Sequence, residues 1–405
     1  MLAEQGGTRM PRPKRRRCEP DGPPTAARPP EERRLYLILD DYPWGYSIRE
    51  MNLPPLPASS ASGERRRLPL PPPVICFEAP RGYPQYIAAA GTAIVATHRR
   101  DLFGDVSVPA GFLPIVDVRW RRGVTFGPGE VYHNMPIFLT AGDALLSLDT
   151  CSFRTLPLAP LWPARLEHRP DGGGAAAWSW RELPRPPFDR IDVTSYAMVG
   201  RSIVFSTERE AEPTLLPDGR TLVRGDGETF PATFAFDTAA LAWERRGEWA
   251  MPFAGRAHFV SSLQAIVGLS RDPDTSGHLC CCAAAGVEAG GGGGLPPAWK
   301  LGKEKLLSED PAEAHVGATL VYMGRNEFCL VQCVFIGDGG DDADRAEELE
   351  EPRRRCHVYR LTTFSVSYDD NGDLTTGGTC QVQCYEVPGE TTDKFLRRDP
   401  VAFWL

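Results

Sequence analysis

Residues 231–270 read PATFAFDTAALAWERRGEWAMPFAGRAHFVSSLQAIVGLS, and their pattern decides the fold class. Phe234 and Phe236 point one way along an extended segment while Thr233, Ala235 and Asp237 point the other, the period-two alternation of a half-buried strand. Asp237-Thr238 then opens a turn, because an aspartate can accept a hydrogen bond from its own backbone two residues on. Leu241 and Trp243 restart an apolar face. After a break at Gly247, the run from Ser262 to Gly268 has the length and apolar content of a strand buried on both faces.

The same two-part phrase recurs. Its buried run returns as Gly91-Thr92-Ala93-Ile94-Val95, Gly142-Asp143-Ala144-Leu145-Leu146, Gly200-Arg201-Ser202-Ile203-Val204, Ala265-Ile266-Val267 and Gly317-Ala318-Thr319-Leu320-Val321. Its alternating part returns as Val116-Asp117-Val118 before Trp120, Leu146-Ser147-Leu148-Asp149 before Phe153, and Phe234-Ala235-Phe236-Asp237 before Trp243. Ile94, Leu145, Ile203, Ile266 and Leu320 fall about 50 to 60 residues apart, close to a kelch-type blade length. The reading is an all-β propeller of about six blades, five or seven being the neighbouring solutions. Leu35–Asp40, the Pro43-Trp44-Gly45 turn and Tyr46–Arg49 look like the alternating part without its buried run. The terminal Pro400–Leu405 stretch is expected to complete that blade and close the ring, removing two sheet edges.

A propeller accommodates 405 residues as one folded unit, because blades add without enlarging a single core. The 40 glycines and 39 prolines concentrate between the strands, as an all-β chain with many turns requires. Residues 1–34 hold nine Lys or Arg against five acids, a net of +4, so residues 35–405 carry −12 of the overall −8. An acidic body argues against broad nucleic-acid binding, which depends on neutralising phosphates. The 11 cysteines are an odd number and follow no secretory leader, so a disulfide scaffold is not expected. No apolar run is long enough to span a membrane. The expected setting is the nucleus or cytoplasm, and the expected state a monomer.

The domain reading is a basic tail, residues 1–34, followed by the propeller, residues 35–405. The tail is too poor in large apolar residues to offset its ordering entropy and is expected to be disordered. Lys14, Arg15, Arg16 and Arg17 form a compact basic cluster of the kind read as a nuclear-import signal. Residues 54–73 (LPPLP, Arg65-Arg66-Arg67, LPLPPP) lean toward polyproline and suit a surface spacer. Insertions at 168–177, 208–229, 285–297 and 337–355 separate the strands, the last with an acidic block from Asp338 to Glu351 before Arg353, Arg354 and Arg355.

None of the chemistry-bearing motifs holds up. Asp369-Asp370-Asn371-Gly372-Asp373 lacks the sixth-position Gly and twelfth-position Glu of a calcium loop, Leu374 and Cys380 standing there instead. Asn371-Gly372 reads as a hairpin turn between Phe364–Tyr368 and Cys380–Cys384. Four-residue offsets such as Cys329 to Cys333 and Cys380 to Cys384 set two side chains on one strand face roughly 13 Å apart, too far for one zinc. With Cys280-Cys281-Cys282 they read as buried thiols. His258 and His315 stand beside blade starts with no nucleophile or orienting acid next to them in sequence. The glycine run at Gly290 and Gly302-Lys303-Glu304 both lack the ending of a phosphate loop. Thus no catalytic residue, cofactor site or metal site is assigned.

Several long motifs carry a family resemblance: RRLYLILDDYPWGYSIREMNL, WSWRELPRPPFDR, TFAFDT with GEWAMPFAGRAHF, VGLSRDPDTSGHLCCC, KEKLL with HVGATLVYMG, FCLVQC and the terminal DPVAFWL. Over residues 33–405 they resemble the uncharacterised, grass-expanded plant family called domain of unknown function 1668. The resemblance implies a layout similar to kelch and F-box-associated propellers and no assigned activity. Residues 1–34 are too short and polar to supply an F-box ahead of the propeller. The expected function is a non-enzymatic protein-interaction module using a propeller face or rim loops. The alternatives are an enzyme acting through the central channel, for which Asp117, Asp149 and Asp237 would have to converge, and a degenerate paralogue without activity.

Overall fold

The computed structural model describes residues 33–53, 67–79, 81–97, 112–118, 123–128, 133–150, 152–158, 179–210, 214–215, 221–222, 229–288, 296–337 and 356–405. Lys14, Arg15, Arg16 and Arg17, the glycine run at Gly290, the acidic block with Arg353–Arg355 and most of the expected insertions lie outside them. The chain divides into residues 1–33 and a body of residues 34–405.

Four-stranded antiparallel meanders make up the body. Meander I takes Val401–Trp404, Leu35–Tyr42, Gly45–Met51 and Ile75–Glu78 in spatial order. Meander II runs through Ile87–Ala90, Ala93–Ala96, Phe112–Asp117 and Gly123–Pro128, and meander III through Ile137–Ala141, Ala144–Leu148, Phe153–Pro157 and Arg181–Glu182. Meander IV is Val193–Val199, Ser202–Glu210, Thr229–Asp237 and Ala242–Gly247, and meander V is Gly255–Val260, Ala265–Leu269, His278–Ala283 and Trp299–Lys305. IV and V share one eight-stranded sheet, because their first strands pair in parallel. Meander VI is Glu313–Gly324, Glu327–Ile336, Cys356–Ser365 and Gln381–Glu386.

Hydrophobic clusters lie between successive meanders and join them into a closed ring. Tyr36 and Ile38 of I meet Ile94 and Val116 of II. Val95 and Ile115 of II meet Leu145 and Leu156 of III, and Leu146 and Phe153 of III meet Phe205 and Phe236 of IV. Ala197 and Val204 of IV meet Ile266 and Cys280 of V; Val267 and Leu279 of V meet Leu330 and Phe364 of VI. Cys329 and Leu361 of VI meet Leu35 and Leu37 of I, which completes the circuit. Strand alternation makes this possible: Leu35, Leu37 and Leu39 serve one cluster while Tyr36 and Ile38 serve the next. A strand buried on both faces must be apolar throughout, hence the runs Leu35–Leu39 and Phe328–Val331. The whole is an all-β propeller.

The two ends of the body meet in meander I. Leu35 pairs with Trp404 and Ile38 with Val401, and the backbones of Arg34 and Leu405 exchange hydrogen bonds at 2.8 and 3.1 Å. Behind this joint the fully buried Asp40 carboxylate accepts from the Gly82 and Thr392 N–H groups, each at 2.8 Å, and from the Thr392 hydroxyl. Arg81 donates to the carbonyl oxygens of Asp40 (Nε, 3.1 Å) and Glu390. Gly82 has φ +83° and a Cβ there would lie 2.9 Å from Lys394 Cβ, so this tight approach needs glycine.

Several expectations are corrected. Leu35–Tyr42 is the second strand of its meander, the place of the buried run, and the element it lacks is the first strand, supplied by Val401–Trp404. Ile94, Leu145, Ile203 and Ile266 do share the second-strand position, but Leu320 is on a first strand; its counterpart is Phe328. The turns show why: φ is positive at Gly91, Gly142 and Gly200 before the second strand, but at Gln264 in V and Arg325 in VI, where the glycine is absent or, as Gly324, stands one residue early. Bulges between His315 and Gly317 and between Tyr322 and Gly324 stretch that first strand further. Arg67–Pro69, read as loop, pairs in parallel with Cys384–Glu386 along the outer edge of VI, where proline's missing N–H is tolerated. The Asn371-Gly372 turn belongs to a minor hairpin, Ser367–Tyr368 against Leu374–Thr375.

Candidate functional site

Because the strands of a meander alternate in direction, the second-to-third turns and the links between meanders share one end of the ring. The first-to-second and third-to-fourth turns share the other. Asp117 and Asp237 end third strands and Asp149 follows a second strand, so Asp149 lies at the opposite end from the other two. The three cannot converge on one channel mouth. Each has local work: Asp237 Oδ1 accepts from the Ala239 and Ala240 N–H groups, which holds its carboxyl below its usual range, and Asp149 Oδ1 accepts from the Ser152 N–H at 2.7 Å.

The axis is lined by first strands, several of which contact one another. Between IV and V the register sets Tyr196 beside Arg256, Ala197 beside Ala257 and Met198 beside His258. Ala197 and Ala257 are buried in the cluster enclosed by the two meanders. Alternation therefore turns Tyr196, Arg256, Met198 and His258 to the opposite side of the shared sheet, where Tyr196 and Met198 pack against the III–IV cluster and His258 lies against Tyr322 and Phe328 of VI. Arg190, in the short 3-10 turn Arg190–Asp192 that leads into Val193–Val199, brings a second guanidinium to the same mouth. Asp399, just before the closing strand, accepts from the Ala318 N–H at 3.1 Å.

The electrostatics follow from this crowding. Burial raises the Tyr196 phenol; Arg256 and then Arg190 favour its anion, and Asp399 disfavours it. Burial lowers Arg190, whose Nε is shielded from solvent and has no hydrogen-bond partner among the described residues. Burial, assisted by Arg256, pulls His258 down to about 3, so the ring is neutral and donates from Nε2 to the Leu320 carbonyl at 3.0 Å. His315 is also lowered by burial, against the pull of Asp399, and its Nδ1 lies 3.2 Å from Gln332 Nε2. Asp399 is open on one side, yet the surrounding protein raises its carboxyl. Two guanidinium groups, a phenol and one carboxylate suit an anion held by charge and hydrogen bonds.

Elsewhere, Ser147, His133 and Asp149 come together beneath Trp180 and Phe138, a trio that spacing along the chain did not suggest. Both Ser147 Oγ (2.9 Å) and Asp149 Oδ2 (3.7 Å) approach the same nitrogen, His133 Nδ1, and all three residues are buried. A proton relay uses opposite ring nitrogens, so this trio packs rather than catalyses. Asp369 is an anchor for its own turn: its Oδ1 accepts from the Asn371 and Asp373 N–H groups and Lys303 binds its other oxygen. Cys280, Cys281, Cys282, Cys329 and Cys333 are buried free thiols, and burial raises those of Cys280, Cys282, Cys329 and Cys333. Among the described residues no group of three or more His, Cys, Asp or Glu is placed to hold a metal ion. No helix of the described residues is long and apolar enough to cross a membrane.

Solved structures similar to this chain include distant likenesses. A chain in the S. cerevisiae complex of Dbp5 with Nup159, Gle1, IP6 and ADP is 12 % identical, covers 76 % of this chain and 62 % of its own, and has a TM-score of 0.31. The N-terminal domain of Nup159 is 10 % identical over 76 % of this chain and 66 % of its own, with a TM-score of 0.26. YjhT is 10 % identical over 65 % of this chain and 84 % of its own, with a TM-score of 0.30. The chain thus spans less than two thirds of the first two, and likeness at this level carries no functional argument. No curated protein matches by sequence. The family described as "Protein of unknown function (DUF1668)" matches residues 32–385, and the chain belongs to it.

Proposed function

We propose that the protein is a six-bladed propeller acting as a non-enzymatic protein-interaction module, with its partner on the end of the ring that carries the axial mouth. The observation behind this reading is the placement of exposed apolar side chains. Trp44 (68 % exposed), Ile191 (65 %), Met135 (51 %) and Phe230 (51 %) stand at that end, against Trp299, Leu241 and Tyr368 at the other. Trp44 sits in a second-to-third turn, Met135 and Ile191 in links between meanders, and Phe230 at the start of a third strand. Solvent-exposed aromatic and aliphatic anchors around a polar centre are what a protein partner buries first.

The test is capture from plant extract, the source the family resemblance suggests, using the full chain beside a variant carrying Trp44→Ala and Ile191→Asp. A partner recovered reproducibly by the first and lost with the second supports the reading. Equal recovery by both, or recovery of the chain alone, sinks it.

A further inference from the structure

We infer that the axial mouth receives the carboxylate of an acidic side chain from an extended partner segment, held by Arg256 and Arg190 with the Tyr196 hydroxyl as a further donor. This rests on the interaction reading above and adds the chemistry of what is recognised.

The argument begins with the cost of the arrangement. Sequestering a guanidinium is unfavourable unless an acid or well-placed acceptors replace its water. Elsewhere the body obeys this: Arg49 has Asp41 at 2.5 Å and Arg360 has Glu313 at 3.8 Å. Arg190 is half-buried; the Nε atoms of Arg49 and Arg360 also lack acceptors, but Arg190 has in addition no carboxylate paired with it among the described residues. The parallel register then puts Arg256 directly beside Tyr196, the residue Arg190 also acts on, so both cations bear on one spot. The carboxylate that could neutralise them, Asp399, is held by the Ala318 N–H and faces His315.

The size of the charge points to the ligand class. Asp192, in the same turn as Arg190, faces Asp189 and Arg209 instead, so the two guanidiniums that bear on Tyr196 are set against Asp399 and suit a single negative charge. The body as a whole is acidic, −12 over residues 35–405, which repels a polyanion approaching from solution. A carboxylate meets a guanidinium in a planar, two-bond geometry that matches its fork. Ile191, next in sequence to Arg190 and exposed, supplies an apolar contact beside the charge. The segment expected is therefore an acidic residue flanked by apolar ones, not nucleic acid or a membrane surface.

Calorimetry on the full chain tests this with short acetylated, amidated peptides carrying one glutamate flanked by leucines, their glutamine counterparts, and inorganic phosphate. The glutamate peptide is expected to bind at least about tenfold more tightly than the glutamine peptide, and more weakly as salt rises. Arg256→Gln, at an exposed position, is expected to remove about tenfold of that affinity with an unchanged melting temperature, and Tyr196→Phe several-fold. Equal binding of both peptides, no effect of Arg256→Gln, or binding of phosphate without the peptide would overturn the inference. The two proposals fail separately. Peptide binding lost in Arg256→Gln while the Trp44 and Ile191 variant still captures its partner removes the proposed face and leaves the carboxylate site standing.

Discussion

The closure of meander I and the axial mouth both gather charged groups, and they treat them in opposite ways. Around Asp40 every direction is occupied: two backbone N–H groups, a threonine hydroxyl and, at 4.0 Å, the Arg81 guanidinium. The segments gathered there, near residues 40, 82 and 392, are distant in sequence, so the carboxylate ties the two ends of the body to the first link between meanders. At the mouth the polarity is reversed: half-buried Arg190 and exposed Arg256 bear on Tyr196, and among the described residues no carboxylate is paired with either. A satisfied buried charge holds a fold together; an unsatisfied one costs stability and is better explained by what it binds.

The largest effect expected from breaking the first region comes from removing Pro400–Leu405. That exposes the unpaired edge of Leu35–Ile38 and uncovers Leu35, Leu37 and Ile38, all fully buried. A loss of about 5 kcal/mol or more, seen as collapse of the cooperative calorimetric transition, is expected. An unchanged transition would mean that the ring does not depend on its closing strand.

Asp40→Ala is a smaller lesion at the same joint. It leaves the Gly82 and Thr392 N–H groups without their acceptor and should cost about 3 kcal/mol in urea unfolding. The pH dependence has a definite sign. Burial is the largest influence on Asp40 and raises its pKa, so the folded chain holds this proton more tightly than the unfolded one. Stability contributed by the native residue therefore grows as pH falls from neutral through the folded pKa, and levels off below the unfolded value of about 4. The gap between the native chain and Asp40→Ala should widen on acidification; a gap that narrows would show that the hydrogen bonds outweigh desolvation.

How much of this was legible in the chain differs between the two regions. The ring was readable because its determinants are local: the Phe234/Phe236 alternation, the turn glycines at 91, 142 and 200, and the apolar terminal stretch that pairs with Leu35–Ile38. Reading failed where a local mark was absent or misleading. Gln264 and Arg325 adopt positive φ without being glycine, which cost the sixth meander its register. Asp149 resembles Asp237 in its neighbours but sits after a different strand. The mouth left almost no trace, since Tyr196 and Arg256 become neighbours only through a parallel pairing across some 60 residues of chain. Arg190, inside a proline-rich link, has no period to betray its direction.

The smallest effect is also the one that separates the two regions most cleanly. Arg190→Met keeps the length and apolar stem of the side chain and removes the half-buried charge. If Arg190 were structural, as Asp40 is, the change should destabilise the protein by 2 kcal/mol or more, roughly the cost of breaking a sequestered ion pair. Without an acid to abandon, it should instead leave stability unchanged or raise it by about 1 kcal/mol, because the desolvation that already depresses the Arg190 pKa disappears with the charge. A stabilised protein that no longer binds the glutamate peptide would identify Arg190 as a residue kept for its ligand at the expense of the fold. A destabilised one would place Arg190 with Asp40 among the groups that hold the ring together.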